Sequence, residues 1–373
     1  MEVVFFGAYD PEYPRNAVLR RGLELNGVRV SECRVPPGRR FWLRYPALLG
    51  RWLRRRKHDA ASASILFVPE FGHKDVPLAR LLGHLTSRRV VFDPLASRYE
   101  TKILDWRRKP TGSPSAWWNR VIDRRAFRFS DFIVADTRAH KEYYGREFQI
   151  DPSGIAVVPV GFDDRIFSRA LADFGRSVRK TDEAFTVLFF GSFLPLHGVA
   201  EIIEAARIVS DMDKSMNFRF FGSGQTLASV RARAAELRLA NVGFEGWLNQ
   251  AELAAAVSRT ADVCLGIFGR TEKADRVVPH KVFQAMALRK PVVTARTPAI
   301  EEFFTDRENI RLCPRGDARA LAEAILELKE DRALYERIAQ KSYELVWTRY
   351  HPAALGACLR DILEKGLCGD SET

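Results

Sequence analysis

Cysteine is scarce in this chain, and its five copies (Cys33, Cys264, Cys313, Cys358 and Cys368) form no C-x-x-C pair. That excludes a disulfide framework and a cysteine-based zinc site, and suits a reducing cytosol. No apolar run approaches the roughly eighteen residues that a membrane-spanning helix needs, which excludes a polytopic membrane protein. Low-complexity tracts and short repeats are missing too, so disorder and solenoid architectures are excluded. The opening MEVVFFGAYD has neither a basic flank nor a small-residue cleavage site, and reads as a core strand, not a signal peptide. Acidic residues fall short of basic ones, 47 Asp+Glu against 59 Lys+Arg, for a net charge of +12. The whole surplus lies in the first half, where residues 1–180 hold 34 Lys+Arg against 20 Asp+Glu, while residues 181–373 hold 25 against 27. Such asymmetry equips one domain to face a polyanion, either nucleic acid or an anionic membrane.

At 373 residues the chain exceeds what one hydrophobic core serves, and two domains are expected. The second half restarts the first: Val3-Val4-Phe5-Phe6-Gly7-Ala8-Tyr9 is echoed by Val187-Leu188-Phe189-Phe190-Gly191-Ser192-Phe193, and helix-like segments follow at residues 16–26 and 199–210. Further apolar runs at residues 64–68, 89–92, 132–135, 218–221, 242–244, 263–267 and 291–294 alternate with amphipathic stretches, the pattern of parallel doubly wound sheets. The division expected is a first domain at 1–165, a polar linker at 166–184, a second domain at 185–345, and a segment at 346–373 returning to the first domain.

Sharp turns from strand to glycine place backbone N–H groups at the carboxyl edge of a sheet, where they hold phosphate. Three occur in the second half: Gly191-Ser192 running to His197-Gly198, Gly222-x-Gly224, and Gly246-Trp247-Leu248. Each alone is as well read as a plain turn, but three in one domain favour a nucleotide site. The run at 263–267 then delivers a loop carrying Arg270, Lys273 and Arg276, closed by Pro279, with Lys281 in the first turn of the next helix. A cation beside the positive end of a helix dipole is unfavourable without an anion, and a bound diphosphate would supply one. The bland reading is a solvated basic loop, which the apolar flanks disfavour.

The order Gly191…His197-Gly198, Gly222-x-Gly224, Val242-Gly243-Phe244-Glu245-Gly246, Ala261-Asp262-Val263 and Lys281-x-x-Gln284-Ala285-Met286-Ala287-x-x-Lys290-Pro291-Val292-Val293 resembles the donor domain of glycosyltransferase family 4. In the first half, Pro69-Glu70-Phe71-Gly72-His73-x-Asp75, Phe92-Asp93-Pro94-x-x-Ser97-x-Tyr99 and Ala135-Asp136-Thr137 are similar to a bacterial branch of it. The resemblance implies the GT-B fold, two Rossmann-like domains facing a cleft, and retaining transfer of sugar from a nucleotide diphosphate sugar with no cofactor. It implies a donor site at Gly191, Ser192, His197, Gly198, Gly222, Gly224, Gly246, Trp247, Leu248, Arg270, Lys273, Gln284, Ala299 and Ile300. It sets His73 against the donor sugar, although a lone loop histidine is by itself more often a surface residue. The first domain would meet the acceptor through Tyr9, Arg15, Asn16, Asp93 and Ser97, the last two equally readable as caps or turns. The chain departs from the family pattern where two glutamates with seven residues between them would fall on Arg276 and Gln284, and where the usual cations would fall near Ser192 and His197. Arg276 and Lys281 are read as substitutes that stabilise the departing diphosphate.

The segment from Arg39 to Lys57 interleaves arginines with Phe41, Trp42, Leu43, Tyr45, Leu48, Leu49, Trp52 and Leu53. It suits an interfacial membrane helix with Trp42 and Trp52 as anchors, and equally a surface helix packed on the sheet. Lipid-linked acceptors in similar enzymes favour the first, giving a cytoplasmic protein peripheral on the inner membrane face; no nucleic-acid motif accompanies the charge. Asp211-Met212-Asp213 has the Asp-x-Asp form of metal-dependent glycosyltransferases but reads as a solvated loop, and no metal is expected. A catalytically silent relative that binds nucleotide sugar or glycan is the alternative. A nicotinamide oxidoreductase is disfavoured because no G-x-G-x-x-G follows either opening strand.

Overall fold

The computed structural model describes residues 1–38, 40–56, 63–174 and 184–368. The chain forms two compact units, Met1–Val160 with the chain from His351 onward, and Gly161–Tyr350. The first holds strands β1 (Glu2–Ala8), β2 (Arg29–Val35), β3 (Ala63–Val68), β4 (Arg89–Phe92), β5 (Phe132–Ala135) and β6 (Ile155–Val157). Its helices are α1 (Pro14–Leu25), α2 (Phe41–Arg56), α3 (Val76–Thr86), α4 (Pro114–Phe129) and α5 (Arg138–Phe148). The second holds α6 (Asp164–Phe174), α7 (Val199–Met212), α8 (Leu227–Glu236), α9 (Gln250–Thr260), α10 (His280–Ala287), α11 (Pro298–Glu301), α12 (Ala318–Glu330) and α13 (Arg332–Arg349). Its strands are β7 (Phe185–Phe190), β8 (Met216–Phe221), β9 (Val242–Glu245), β10 (Val263–Leu265), β11 (Val292–Ala295) and β12 (Arg311–Cys313). The last helix, α14 (Pro352–Cys368), rejoins the first unit.

Both sheets are parallel, in the orders β2-β1-β3-β4-β5-β6 and β12-β11-β10-β7-β8-β9. Each opening strand is a near-continuous apolar run because helices cover both of its faces, and every residue of β1 and β7 is buried. In each sheet the chain winds first to one side and then to the other, so a switch point lies between β1 and β3 and between β7 and β10. Ligands of open α/β sheets settle at such points, outside the carboxyl ends of the strands.

The unit boundary falls at 160/161, not in the predicted linker at 166–184. Helix α6 buries Phe167 and Ala170, Ser258 Oγ on α9 donates to Ala170 O at 3.5 Å, and Phe162 packs on Trp347. The return of the chain is fixed by two glycines. A β-carbon on Gly356 of α14 would lie 2.0 Å from the backbone of Gly22 on α1, and Asn26 Nδ2 donates to Ala353 O at 2.8 Å. Strands β2, β6 and β12 escaped the sequence reading. The first alternates polar residues on a sheet edge, and the others are three residues long.

Helix α2 removes Trp52 from the expected membrane anchors. Leu48 and Trp52 are buried in the core of the first unit, and Trp52 meets Phe6 edge-on at 6.2 Å while the Arg88 guanidinium covers its ring. Leu43, Leu49 and Leu53 are exposed; the Trp42 side chain, Arg39 and Lys57 lie outside the described residues. Trp52→Ala is expected to cost about 3–5 kcal/mol of stability. Urea unfolding measures this, and vesicle binding per folded molecule should not change; an unchanged midpoint would return Trp52 to the surface.

Asp211-Met212-Asp213 is also no free loop. The first two residues end α7, Asp211 pairs with Arg207, and Asp213 is held by Lys329 and Ser215.

Candidate functional site

The carboxyl edge of the second sheet carries a close-packed turn. Strand β7 is followed by Gly191 at φ +127°, and β8 by Gly222 at φ +136°. A β-carbon on Gly222 would lie 2.0 Å from Gly191 O, and one on Gly224 2.5 Å from Phe193 N, so backbone crosses backbone here and no side chain fits. The chain leaving β10 pairs with the turn before α7: Phe268 N donates to His197 O and Gly269 N to Leu196 O, both at 3.0 Å. Leu196, Ile267 and Ala274 form a small apolar cluster beneath. That cluster fixes the route by which the loop reaches Pro279, the N-cap of α10.

Lys281 follows in the first turn of α10, and its side chain returns to the switch point. Its Nζ lies 3.8 Å from the centre of the Phe189 ring and 3.3 Å from where a β-carbon of Gly191 would stand. The ammonium is buried and has no hydrogen-bond partner among the described residues. Burial holds its pKa well below the usual lysine range. His197, whose Cε1 lies 4.0 Å from the same point, bonds through Nδ1 to Ser192 O. Burial, and then Lys281, hold His197 well below the usual histidine range, so it stays neutral. Gly191, Ser192, His197, Gly198, Gly222, Gly224 and Lys281 are thus brought together.

The other expected donor residues are placed differently. Arg276 is paired with Glu272 at 2.9 Å and Arg270 bonds to Gly316 O at 2.6 Å, while Lys273 is buried. Gln284 Nε2 donates to Gln250 Oε1 at 2.8 Å. Gly246 O accepts from Gly222 N at 3.1 Å, Trp247 is exposed and Leu248 half-buried. Ala299 and Ile300 are buried in α11, whose N-cap Thr297 accepts from Ile300 N at 3.3 Å.

In the first unit the five expected acceptor residues are engaged within the protein, two of them with each other. Arg15 Nε and Asp93 Oδ2 form an ion pair of 2.6 Å with both side chains fully buried, and Arg15 also donates to Val158 O and Pro159 O. Tyr9 donates to Glu32 at 3.1 Å and Asn16 to Asp10 O at 2.7 Å. Ser97 Oγ donates to Asp123 Oδ2 at 2.7 Å and accepts from Glu100 N. His73 is buried against Phe92 and Phe127, with Nε2 3.6 Å from Asp123 Oδ1. The sequence reading missed Asp123, which gathers the N–H groups of Arg98 and Tyr99 as well as Ser97; an acid inside a helix gives no local sign of that role.

Two buried histidines of this unit titrate in opposite directions. Burial, then the nearby Arg98, lowers His73 to about 3. Burial also acts against the charged form of His140, but Asp136 and Glu100 outweigh it and raise the pKa to about 9. His140 therefore contributes stability that is fully present below its unfolded value near 6.5 and lost as pH rises through about 9. His73 contributes stability present above 6.5 and lost as pH falls towards about 3. Histidine proton NMR should show both resonances flat between pH 5 and 7, and His140→Gln should flatten the decline in stability on the alkaline side. Midpoints near 6.5 for both would show that neither environment is as closed as described.

The family Glycosyl transferases group 1 matches residues 173–345, and Glycosyl transferase 4-like domain matches residues 1–161. The chain belongs to the family-4-like glycosyltransferases and has their GT-B fold. A phosphatidyl-myo-inositol mannosyltransferase of Mycobacterium leprae is 31% identical over 163 residues, 43% of this chain and 41% of that protein, so the chain matches less than half of the relative's length. Two solved structures share the fold at low identity. HepE of Anabaena, determined with UDP and glucose, has a TM-score of 0.70 at 16% identity, covering 97% of this chain and 99% of its own. Sucrose-phosphate synthase of Thermosynechococcus elongatus has a TM-score of 0.72 at 14% identity, covering 98% of each chain.

Proposed function

We propose that this protein is a glycosyltransferase that binds a nucleotide diphosphate sugar on its second unit and transfers the sugar, with retention of configuration, to a glycan or lipid-linked acceptor of the cell envelope held by the first. The observation that carries the reading is Lys281, a buried ammonium without a hydrogen-bond partner among the described residues, aimed at the glycine turn of a switch point. As the bond between sugar and phosphate breaks, charge grows on the diphosphate, and a fixed cation beside backbone donors stabilises it in the manner of an oxyanion hole. The turn from Gly191 to Gly198 would receive the phosphates, with Arg276 assisting from the loop. Same-face transfer, in which a departing phosphate oxygen takes the acceptor proton, needs no pair of enzyme carboxylates. His73, buried against Phe92 and Phe127 and neutral, would not act as a base, which corrects its expected place against the sugar. No metal or cofactor enters this scheme, and turnover should survive chelation.

A thermal-shift panel of UDP, GDP and ADP with their sugars tests it, with UDP first because HepE was determined with UDP. A ligand at a hundred times its Kd stabilises by about 2.7 kcal/mol, a shift of several degrees. No shift with any nucleotide at millimolar concentration would sink the reading. A second reading, binding without turnover, draws on Gln284 and Arg276 being bonded to Gln250 and Glu272, where the family carries glutamates. Hydrolysis of the preferred nucleotide sugar without acceptor separates the two. A peripheral position on the cytoplasmic face of a membrane would use the exposed Leu43, Leu49 and Leu53 with Arg51 and Arg54; no helix among the described residues is long and apolar enough to cross one.

A further inference from the structure

The two most exposed aromatic side chains among the described residues of the first unit stand side by side near the start of α4. Trp117 is 64% exposed and Trp118 50%, with ring centres 6.1 Å apart. Their outward position is fixed by what the helix buries. Ala116, Asn119, Asp123, Ala126 and Phe127 face the protein, which at 3.6 residues per turn leaves Trp117, Trp118, Val121, Arg125, Arg128 and Phe129 on the other side. Asp123 holds that register, accepting from Ser97 Oγ at 2.7 Å and from the backbone N–H groups of Arg98 and Tyr99. At the helix start the N-cap Ser113 accepts from Ala116 N at 3.2 Å. The tryptophans belong to neither the core of the first unit nor the donor site. A contiguous exposed apolar patch of this kind marks a contact surface.

The chain around them carries charge of one sign. Residues 106–129 contain seven Lys+Arg and a single acid, Asp123, which is buried. Arg120 pairs with Glu147, and Arg124 Nη2 donates to Gln149 Oε1 at 3.4 Å. Arg107, Lys109, Arg125 and Arg128 are exposed and meet no acidic partner among the described residues. Arg108 lies over the Trp106 ring, 4.2 Å from its centre. Arg107, Arg108 and Lys109 line one open hollow of about 500 Å³, backed by Ile103 and Leu104. Ser113 N donates to Pro110 O at 3.1 Å, and Trp117 N to Ser113 O at 3.1 Å, so a single tight turn joins the hollow to the tryptophan-bearing start of α4.

We infer that α4 and the loop before it dock on an anionic phospholipid membrane, with Trp117 and Trp118 at head-group depth and Arg107, Arg108 and Lys109 against lipid phosphates. Tryptophan prefers the boundary between head groups and acyl chains, where its ring is apolar and its N–H is wet. Exposed cations beside it meet the negative surface potential, and each strengthens partition about fivefold. A second copy of the chain fits poorly, because a two-fold contact sets the same cations against one another. Nucleic acid would use the cations and leave Val121 and Phe129 in water. This surface gives the peripheral position proposed above a second contact beside the exposed leucines of α2; it rests on that position and not on the chemistry of the donor site.

Co-sedimentation of the full-length protein with phosphatidylcholine vesicles, with and without about 30% phosphatidylglycerol, is the test, since the contact requires anionic lipid and low salt. Wild type should bind the anionic vesicles and be released by salt. Trp117→Ala combined with Trp118→Ala should weaken binding about tenfold or more even at low salt, because the apolar anchor is lost. Arg107→Gln combined with Lys109→Gln should weaken it by a similar factor and flatten the salt dependence. Both variants should keep the melting temperature and UDP affinity of wild type, as their side chains are exposed and remote from the glycine turn. Absence of UDP binding in all three proteins would sink the donor reading and leave the membrane surface standing. Wild type that stays in the supernatant with anionic vesicles at low salt would overturn the proposal, as would undiminished binding by the double tryptophan variant. Binding lost only in a Leu49→Ser, Leu53→Ser variant would overturn it too, and would leave α2 as the membrane contact. So would a wild-type dimer in solution that the double tryptophan variant abolishes, which would make this face a contact between copies.

Discussion

Lys281→Ala is expected to abolish measurable binding of nucleoside diphosphates and to lower kcat/KM by about a hundredfold or more, the usual consequence of removing one preorganised donor to developing charge. Its folding should be intact or improved. The ammonium is buried over Phe189 with no hydrogen-bond partner among the described residues, a placement that costs several kcal/mol unless the proton is shed. The combination separates a site residue from a core residue, because removing a packed core side chain lowers stability and activity together. Arg276→Ala should have a smaller effect, since its guanidinium is already paired with Glu272. Thermal unfolding, UDP titration and initial rates on the two purified variants are sufficient. Unchanged UDP affinity in Lys281→Ala would remove the diphosphate assignment.

Arg15→Met is expected to destabilise the protein by about 3–5 kcal/mol, because it leaves Asp93 buried without its counter-ion. The effect extends beyond the pair: Arg15 Nη1 also holds Val158 O at 3.0 Å and Pro159 O at 3.2 Å, tying the exit of β6 to α1. Asp93→Leu combined with Arg15→Met should recover a good part of the loss, since a well-packed apolar pair commonly matches a buried ion pair. Denaturant unfolding of the two single variants and the double gives the coupling. A single-variant cost below about 1 kcal/mol would mean that water reaches the pair and that its burial is overstated.

The two outcomes belong to residues that look alike in the sequence. Arg15 and Lys281 both lie near the start of the helix that follows a strand, both are buried, and both were read as ligand-binding cations. Arg15 meets a carboxylate 78 residues away, and Lys281 meets an aromatic ring and a bare glycine turn. Trp52 makes the same point for aromatic residues: an arginine-rich surround suggested a membrane face, yet its position on α2 turns it inward onto Phe6.

The sequence by itself determined the alternation of strand and helix, the duplicated opening strands, and the places where backbone must take a positive φ. These are local properties: a strand covered on both faces is apolar throughout, and glycine suits the positive φ of Gly191 and, at Gly222, both a positive φ and the close approach of backbone. Pro279 likewise marked the start of α10. The tertiary structure alone decided which polar groups satisfy one another and which remain directed at a ligand. Those pairings follow the order of strands in the sheet, β10 beside β7 and β3 beside β1, and not the order of the chain. A buried charge is stable only with a partner, and whether one arrives depends on side chains that the sheet brings together from distant parts of the sequence.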